Sequence, residues 1–225
     1  MPSSVSPHPS PQTTNPTDKA SLRRALRAVR NGVSTTERQR SRRALIRHAL
    51  HHRLLVHGKR IGFYIPANAE IDILPLLMRA YAMGVRCFLP VVPARGQRKL
   101  WFSELKTRPP GGRKYDAHWR DNRFGIPEYH PPRRSFVRAG QLDRLLMPLL
   151  GFDHRGFRIG MGGGYYDASL GYRLRRQHWQ VPRLFGVAFA VQEVAQIAAD
   201  PWDIPLDAIL TEAGFKPASK APAQS

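Results

Sequence analysis

Residues 144–170 read RLLMPLLGFDHRGFRIGMGGGYYDASL, and their texture decides the fold. Arg144 to Leu150 is a short, almost wholly apolar run, as expected of a strand covered on both faces. A glycine-rich turn and an amphipathic helix follow. Strand, turn and helix in that order open a βα unit of a parallel sheet. The same alternation recurs outward in both directions. Upstream, Arg60 to Ile65 (RIGFYI) and Val85 to Val92 (VRCFLPVV) read as strands. Between them a helix runs from an Asp72 cap to Met83, with Pro75 in its first turn and Gly84 ending it. Cys87 falls inside a strand and reads as a small buried apolar residue. Leu100 to Leu105 reads as an edge strand, and residues 106–140, rich in Pro, Gly and Arg, as a long loop or lid. Downstream, Leu184 to Phe189 is a strand, Ala190 to Ala198 a short helix and Ala208 to Thr211 a last strand. The expected architecture is α/β: a three-layer, Rossmann-like domain with a mainly parallel sheet and helices on both faces.

Before the first strand the chain is basic. Residues 19–60 hold thirteen Lys or Arg against one acid, Glu37, and so carry +12 of the chain's formal +20. Leu22, Leu26, Val29 and Val33 form one helical stripe. Asn31-Gly32 breaks the helix, and Ser34-Thr35-Thr36-Glu37 reads as a capping box for a second one. That second helix turns Leu45, Ile46, Ala49, Leu50 and Leu54 inward. The arginines outside the stripe have two readings, a solvated face or phosphate contacts. Residues 1–18, with five Pro and seven Ser or Thr, bury too little to order and are expected to be a disordered tail. The catalytic domain is expected over 19–212, and a flexible tail over 213–225.

Composition removes several classes. The 225 residues suit one large domain. The longest apolar run, Leu145 to Phe152, is too short to span a bilayer, so no membrane partner is expected. One cysteine permits neither an internal disulfide framework nor a multi-cysteine zinc site. The N-terminus lacks a secretory pattern, and a cytoplasmic location is expected. His48, His51, His52 and His57 lie together in a cationic setting with no acid or thiol nearby, and read as surface residues. Asp153-His154 has no serine elbow beside it, which leaves a hydrolase triad unsupported.

The chemistry concentrates at residues 156–170. The loop is no Walker A motif, because Gly-Lys-Ser/Thr is missing, and the dinucleotide fingerprint fails at Tyr165. Gly160, Gly162, Gly163 and Gly164 let backbone amides approach an anion closely. The helix starting there adds a favourable dipole for phosphate. Arg158 offers a charged fork, Asp167 an acid suited to a magnesium ion, and Tyr165 and Tyr166 ring faces for a flat ligand. A tight turn needing glycine for geometry alone would require less.

These residues make the chain similar to the 5-formyltetrahydrofolate cyclo-ligase family. Four motifs carry the resemblance: Lys19-Ala20-Ser21-Leu22-Arg23, the segment Gly62 to Glu70 (GFYIPANAE), the loop Gly160 to Asp167, and Trp202-Asp203-Ile204-Pro205-Leu206-Asp207 with Thr211-Glu212. The resemblance implies conversion of 5-formyltetrahydrofolate, with one or several glutamates, into 5,10-methenyltetrahydrofolate at the expense of MgATP. The formyl oxygen would attack the γ-phosphorus, N10 would attack the activated carbon, and phosphate would leave. It implies ATP contacts at Lys19, Arg23, Arg158, Gly160, Gly162, Gly163, Gly164, Tyr165 and Tyr166. It also implies folate contacts at Ile65, Glu70 and Tyr165, and magnesium at Asp167 and Asp203. No side chain is assigned as acid, base or nucleophile, since phosphoryl transfer chiefly needs positioning and charge neutralisation. Two departures stand out: Ala168 replaces the family's frequent Arg, and Gly125-Ile126-Pro127-Glu128-Tyr129 lacks a final Pro. Glu128 has two readings, substrate contact or loop anchor.

A monomer is expected. The rival reading from another class is a nucleic-acid-binding protein using residues 19–60 as a basic platform, though no recognition motif accompanies the charge. Beside the enzyme reading, nucleic acid is expected to bind at most nonspecifically. A related phosphosugar- or acyl-binding protein is a further rival. A transit-peptide reading of the Arg-rich helix conflicts with Lys19 and Arg23 being needed in the mature chain.

Overall fold

The computed structural model describes residues 19–107, 118–132, 135–175 and 181–219. In chain order the elements are α1 (Lys19–Asn31), α2 (Thr35–His51), β1 (Arg60–Gly62), α3 (Leu74–Ala82), β2 (Arg86–Val91) and β3 (Trp101–Glu104). Then come β4 (Trp119–Asp121), β5 (Pro127–Tyr129), β6 (Phe136–Val137), β7 (Arg144–Pro148), β8 (Gly151–Phe152) and β9 (Arg158–Ile159). Last are α4 (Tyr165–Leu170), α5 (Tyr172–Arg175), β10 (Arg183–Val187), β11 (Ala208–Leu210) and β12 (Phe215–Pro217). Eight strands form one sheet in the order β12-β11-β10-β7-β1-β2-β3-β6. The five from β11 to β2 are mutually parallel, and β12, β3 and β6 join by antiparallel pairing.

The apolar run that opened the reading becomes the middle of this sheet. Along β7, Leu145 and Met147 face one core and Leu146 the other. The period-two alternation repeats in β11, where Ala208 and Leu210 oppose Ile209. One core packs against Leu45 and Ala49 of α2 and Leu76, Leu77 and Ala80 of α3. The other packs against Leu170, Tyr165, Tyr166 and Tyr172 around α4 and α5. Helices therefore cover both faces, which is why the central strands read as continuous hydrophobic runs. A third, smaller cluster seats Leu22 and Leu26 of α1 on Leu150, Ile159 and Ile197. The capping box forms as read: Glu37 N donates to Ser34 Oγ, and Ser34 N to the Glu37 carboxylate. No helix among the described residues is long and apolar enough to cross a membrane.

Several expectations need correction. Val29 is 43 % exposed, while Arg30 is 1 % exposed. Of the expected stripe, Leu22, Leu26 and Val33 pack inward and Val29 does not; Arg30 takes its place on the inner face of α1. Asp72 caps its helix from one residue further out, accepting from Leu74 N at 2.9 Å, and Ile73 holds the N-cap position. β3 is not an edge, because β6 pairs with it. The expected long loop contains the β4–β5 hairpin: Tyr129 packs on Trp119 with ring centroids 5.3 Å apart, and Ser103 Oγ donates to Tyr129 O. Residues 108–117 and 133–134 of that stretch lie outside the described residues, as do the expected tail 1–18 and residues 220–225. Only Ala190–Gln192 is helical in the expected helix 190–198, as one 3-10 turn. Gln192 is buried there and its amide donates to Leu149 O and Leu150 O, which draws the following backbone onto the core. The expected tail from 213 starts too early, since β12 pairs with β11 and Phe215 stacks on His52 at 4.4 Å.

One fully buried carboxylate, Asp153, joins the loops at the carboxyl end of the sheet. Its Oδ1 accepts from Arg155 N and Phe157 N, and its Oδ2 from Ile197 N and the Arg155 guanidinium. Removing it would leave the buried Ile197 amide, two part-buried amides and the Arg155 guanidinium without this acceptor. Asp153→Ala is expected to lower unfolding free energy by about 3–5 kcal/mol in urea titrations; a loss below about 1 kcal/mol would show that these loops hold without it.

Candidate active site

The β8–β9 hairpin returns the chain to the sheet's carboxyl edge and delivers Arg158 to the start of the glycine loop. Arg158 is nearly buried, with a 6 % exposed side chain. Its Nη1 donates to Ile204 O and its Nη2 to Asp167 Oδ1, each at 2.5 Å. The loop then turns through Gly162 (φ +106°) and Gly164 (φ +63°), left-handed conformations that side chains disfavour. Nothing lies within 4 Å of where a Cβ would stand at Gly160, Gly162 or Gly164, so the loop faces open space. Among the described residues, none of the amides of Gly160 to Gly164 meets a backbone or side-chain acceptor. α4 begins directly after them.

These residues line a cleft of about 870 Å³. Lys19 and Arg23 enter it from α1, one turn apart. Lys19 Nζ lies 2.5 Å from Asp200 Oδ2 and 3.0 Å from Asp203 Oδ2. Burial works against its charge, but the two carboxylates prevail and raise its pKa above the ordinary lysine value. Arg23 Nε donates to Gly160 O at 3.1 Å, tying α1 to the loop. Asp203 also accepts from Asp200 N, so the two acids form one small turn. Trp202 stands at the rim, 62 % exposed, with Arg98, Lys99 and Arg175 around the mouth.

The two expected magnesium acids share this cleft but do not form a ready metal site. Asp167 is paired with Arg158 and Asp203 with Lys19. Among the described residues no group of three or more His, Cys, Asp or Glu comes together. One or two carboxylates beside a phosphate cradle do fit a magnesium ion carried by a polyphosphate, which keeps most of its ligands as water and phosphate oxygen.

Ile65 and Glu70 stand apart from the cleft lining. Past β1 the chain passes through Asn68 (φ +48°) and Ala69 (φ +62°), strained for residues with a Cβ. Ala67 N donates to Glu70 Oε2 at 3.1 Å and closes this turn. Glu70 then sits in a buried niche. Burial pushes its carboxyl up to about 7, against the opposing pull of the Ala67 amide and Arg30. Arg30 Nη1 is 3.9 Å from Glu70 Oε1 and Nη2 is 3.9 Å from Met161 Sδ. Arg30 Nε and Nη1 have no hydrogen-bond partner. Tyr166 joins niche to cleft: burial raises its phenol well above 10, Glu70 adds to the rise, and Arg158 opposes it.

Thus Lys19, Arg23, Arg158, the loop glycines, Tyr165, Tyr166, Asp167 and Asp203 come together, and Glu70 adjoins them through Tyr166. The sequence reading missed Arg30, Arg98, Lys99, Asp200 and the place of Trp202 at the cleft rim. It also missed Arg123, which donates to the Tyr165 hydroxyl and to Pro93 O. Arg30 alone had a usable signal, its place four residues after Leu26. Glu128 is a loop anchor, accepting from Val92 N at 2.8 Å. The histidines serve packing: His48 Nε2 lies 3.2 Å from Glu212 O, and His52 stacks on Phe215.

The model of the 5-formyltetrahydrofolate cyclo-ligase family matches residues 15–212. The 5-formyltetrahydrofolate cyclo-ligase of Haemophilus influenzae is 28 % identical over 198 residues, covering 87 % of this chain and 98 % of its own length. That of Escherichia coli K12 is 31 % identical over 159 residues, 70 % of this chain and 80 % of its own. In fold, the chain is similar to the Aquifex aeolicus 5,10-methenyltetrahydrofolate synthetase, with a TM-score of 0.69 at 24 % identity over 92 % of this chain and 96 % of that one. The Mycoplasma pneumoniae synthetase gives 0.64 at 23 % identity over 87 % and 99 %.

Glu70 makes stability depend on pH. With its folded pKa raised above the unfolded 4.5, the native state binds the extra proton between about 4.5 and 7, and stability falls as pH rises through that window. Glu70→Gln removes this loss. Its stability relative to the parent is therefore expected to climb between pH 5 and 8, by roughly 3 kcal/mol at most. A difference in melting temperature that stays flat across that range would contradict the raised pKa.

Proposed function

The chain belongs to the 5-formyltetrahydrofolate cyclo-ligase family and is a ligase, and we propose that it couples MgATP to the cyclisation of 5-formyltetrahydrofolate, with one or several glutamates, to 5,10-methenyltetrahydrofolate, releasing ADP and phosphate. The observation carrying the ATP dependence is the row of unpartnered amides at Gly160 to Gly164, open to a cleft into which Lys19, Arg23 and Arg158 also project. Such a cradle suits a polyphosphate.

The formyl oxygen is a poor leaving group until phosphorylated. Its attack on the γ-phosphorus, followed by N10 attack on the activated carbon, expels phosphate and closes the ring. The protein's part is to align the two substrates and to neutralise charge. Lys19 and Arg158 are held beside acids, so each presents a cation at a fixed place. Asp167 and Asp203 would hold a nucleotide-borne magnesium ion, which neutralises phosphate charge when bound. Glu70 accepts hydrogen bonds from the pterin amino and ring N–H groups. Ile65 and Tyr165 flank the ring.

The test is direct. Protein, MgATP and 5-formyltetrahydrofolate are expected to give a near-ultraviolet rise from the methenyl product with one ADP per product. Asp167→Asn is expected to lower MgATP-supported turnover several-fold or more. Folded protein that forms no product would overturn the reading, and an unchanged rate in the variant would remove Asp167 from the site.

A further inference from the structure

Beside the main cleft lies a second compartment of about 450 Å³, bounded by the 95–98 turn, Arg123, Gly162, Gly163 and Tyr165. Arg98, Gly162, Gly163 and Tyr165 line both spaces, which makes them continuous. Three guanidinium groups, of Arg95, Arg98 and Arg123, border this compartment, and no acid lines it among the described residues. In the main cleft two cations are matched, Lys19 by Asp200 and Asp203 and Arg158 by Asp167. Arg95 and Arg98 make no hydrogen bond or ion pair with any described residue. Like charges gathered without a counter-ion repel one another until an anion enters, and the field they create concentrates one.

The compartment is held in shape. Gln97 N donates to Ala94 O at 3.1 Å and closes the turn that carries Arg95 and Arg98. Arg123 is fixed by Pro93 O and the Tyr165 hydroxyl, with its guanidinium 5.2 Å from the Phe124 ring centroid and 5.7 Å from that of Tyr165. Phe124, 55 % exposed, meets Tyr165 edge to face at 6.2 Å. Phe124 and Tyr165 thus brace Arg123 beside the glycine loop.

We propose that Arg95, Arg98 and Arg123 form a carboxylate subsite that takes the glutamyl end of the folate substrate. The inference rests on the function proposed above and extends it. A folate is a flat heterocycle at one end and a dicarboxylate at the other. Glu70, a hydrogen-bond acceptor, suits the donor edge of the ring and repels carboxylates. The arginine compartment suits the carboxylates and has no partner for the ring. Tyr165 lines both the main cleft and the arginine compartment. The proposed phosphate cradle has its own cations in Lys19, Arg23 and Arg158, none of which lines this compartment, so its guanidinium groups suit a second anion. Forked donors match carboxylates.

The test compares Arg95→Ala and Arg95→Ala/Arg98→Ala with the parent on three substrates: 5-formyltetrahydrofolate, its pentaglutamate, and 5-formyltetrahydropteroate, which lacks the tail. Both side chains are exposed and unpaired among the described residues, so folding is expected to be intact, checked by melting temperature. The double variant is expected to raise KM for the monoglutamate about tenfold with kcat held, the mark of lost uniform binding. The penalty is expected to grow for the pentaglutamate and to stay under twofold for the tail-less analogue. Added salt is expected to erode the parent's advantage on tailed substrates. Equal penalties on all three substrates, or a rise confined to the KM for MgATP, would overturn the subsite and give the arginines to the nucleotide. Turnover by the parent without tail dependence in the variants would sink this inference alone. No turnover by the parent would sink the function on which it rests.

Discussion

The site depends on one buried carboxylate. Asp153 accepts from the backbone on both sides of the β8–β9 turn and from Ile197 in a segment forty-four residues away. The first contact aims β9, and so Arg158 and the glycine loop. The second fixes the path into Asp200 and Asp203. Arg155 completes the arrangement by pairing with Asp153 and donating to Ile197 O. A charge this buried is tolerable because every lone pair is used. Arg158 extends the linkage by joining Ile204 O to Asp167. Two distant stretches of chain therefore meet at one wall of the cleft.

α1 supplies the opposite wall. Its inner face carries Lys19 and Arg23 toward the cleft, Leu22 and Leu26 toward the small third core, and Arg30 toward Glu70. One rigid element thereby touches the glycine-loop cleft and the niche beside it. Arg30 has the least comfortable place, a buried guanidinium with two nitrogens unpartnered and the nearest carboxylate oxygen at 3.9 Å. Burial depresses its own pKa even as Glu70 opposes that shift, while burial raises that of Glu70. Each charge is what makes the other's burial bearable, and both adjoin Met161 or Tyr166 of the loop.

The net charge of +20 divides accordingly. A few cations are set against acids inside the cleft, and Arg95 and Arg98 stand unmatched beside it. Many others, such as Arg24, Arg40 and Arg47 on the outer faces of α1 and α2, are exposed. Their charge favours solubility and attracts anions in general, without selecting one.

Much of this was legible along the chain. The parallel sheet declared itself because strands covered on both faces must be apolar throughout, and Leu145, Leu146 and Met147 are. The α2 cap was readable because its partners lie three residues apart. The glycine loop was readable because its left-handed turns need the absence of side chains, which composition records. The 3-10 turn at Ala190–Gln192, the β4–β5 hairpin and β12 were not, for each is held by distant partners such as Leu149, Ser103 or β11.

Sequence by itself thus determined the fold class, the family, and the residue types able to cradle phosphate, since these rest on local periodicity and contiguous motifs. Tertiary structure alone decided which face of α1 is buried, that Asp167 and Asp203 are already matched to Arg158 and Lys19, and that Arg95, Arg98 and Arg123 border one compartment. Burial and ion pairing depend on what lies opposite in space, and the chain brings those partners together only when it folds.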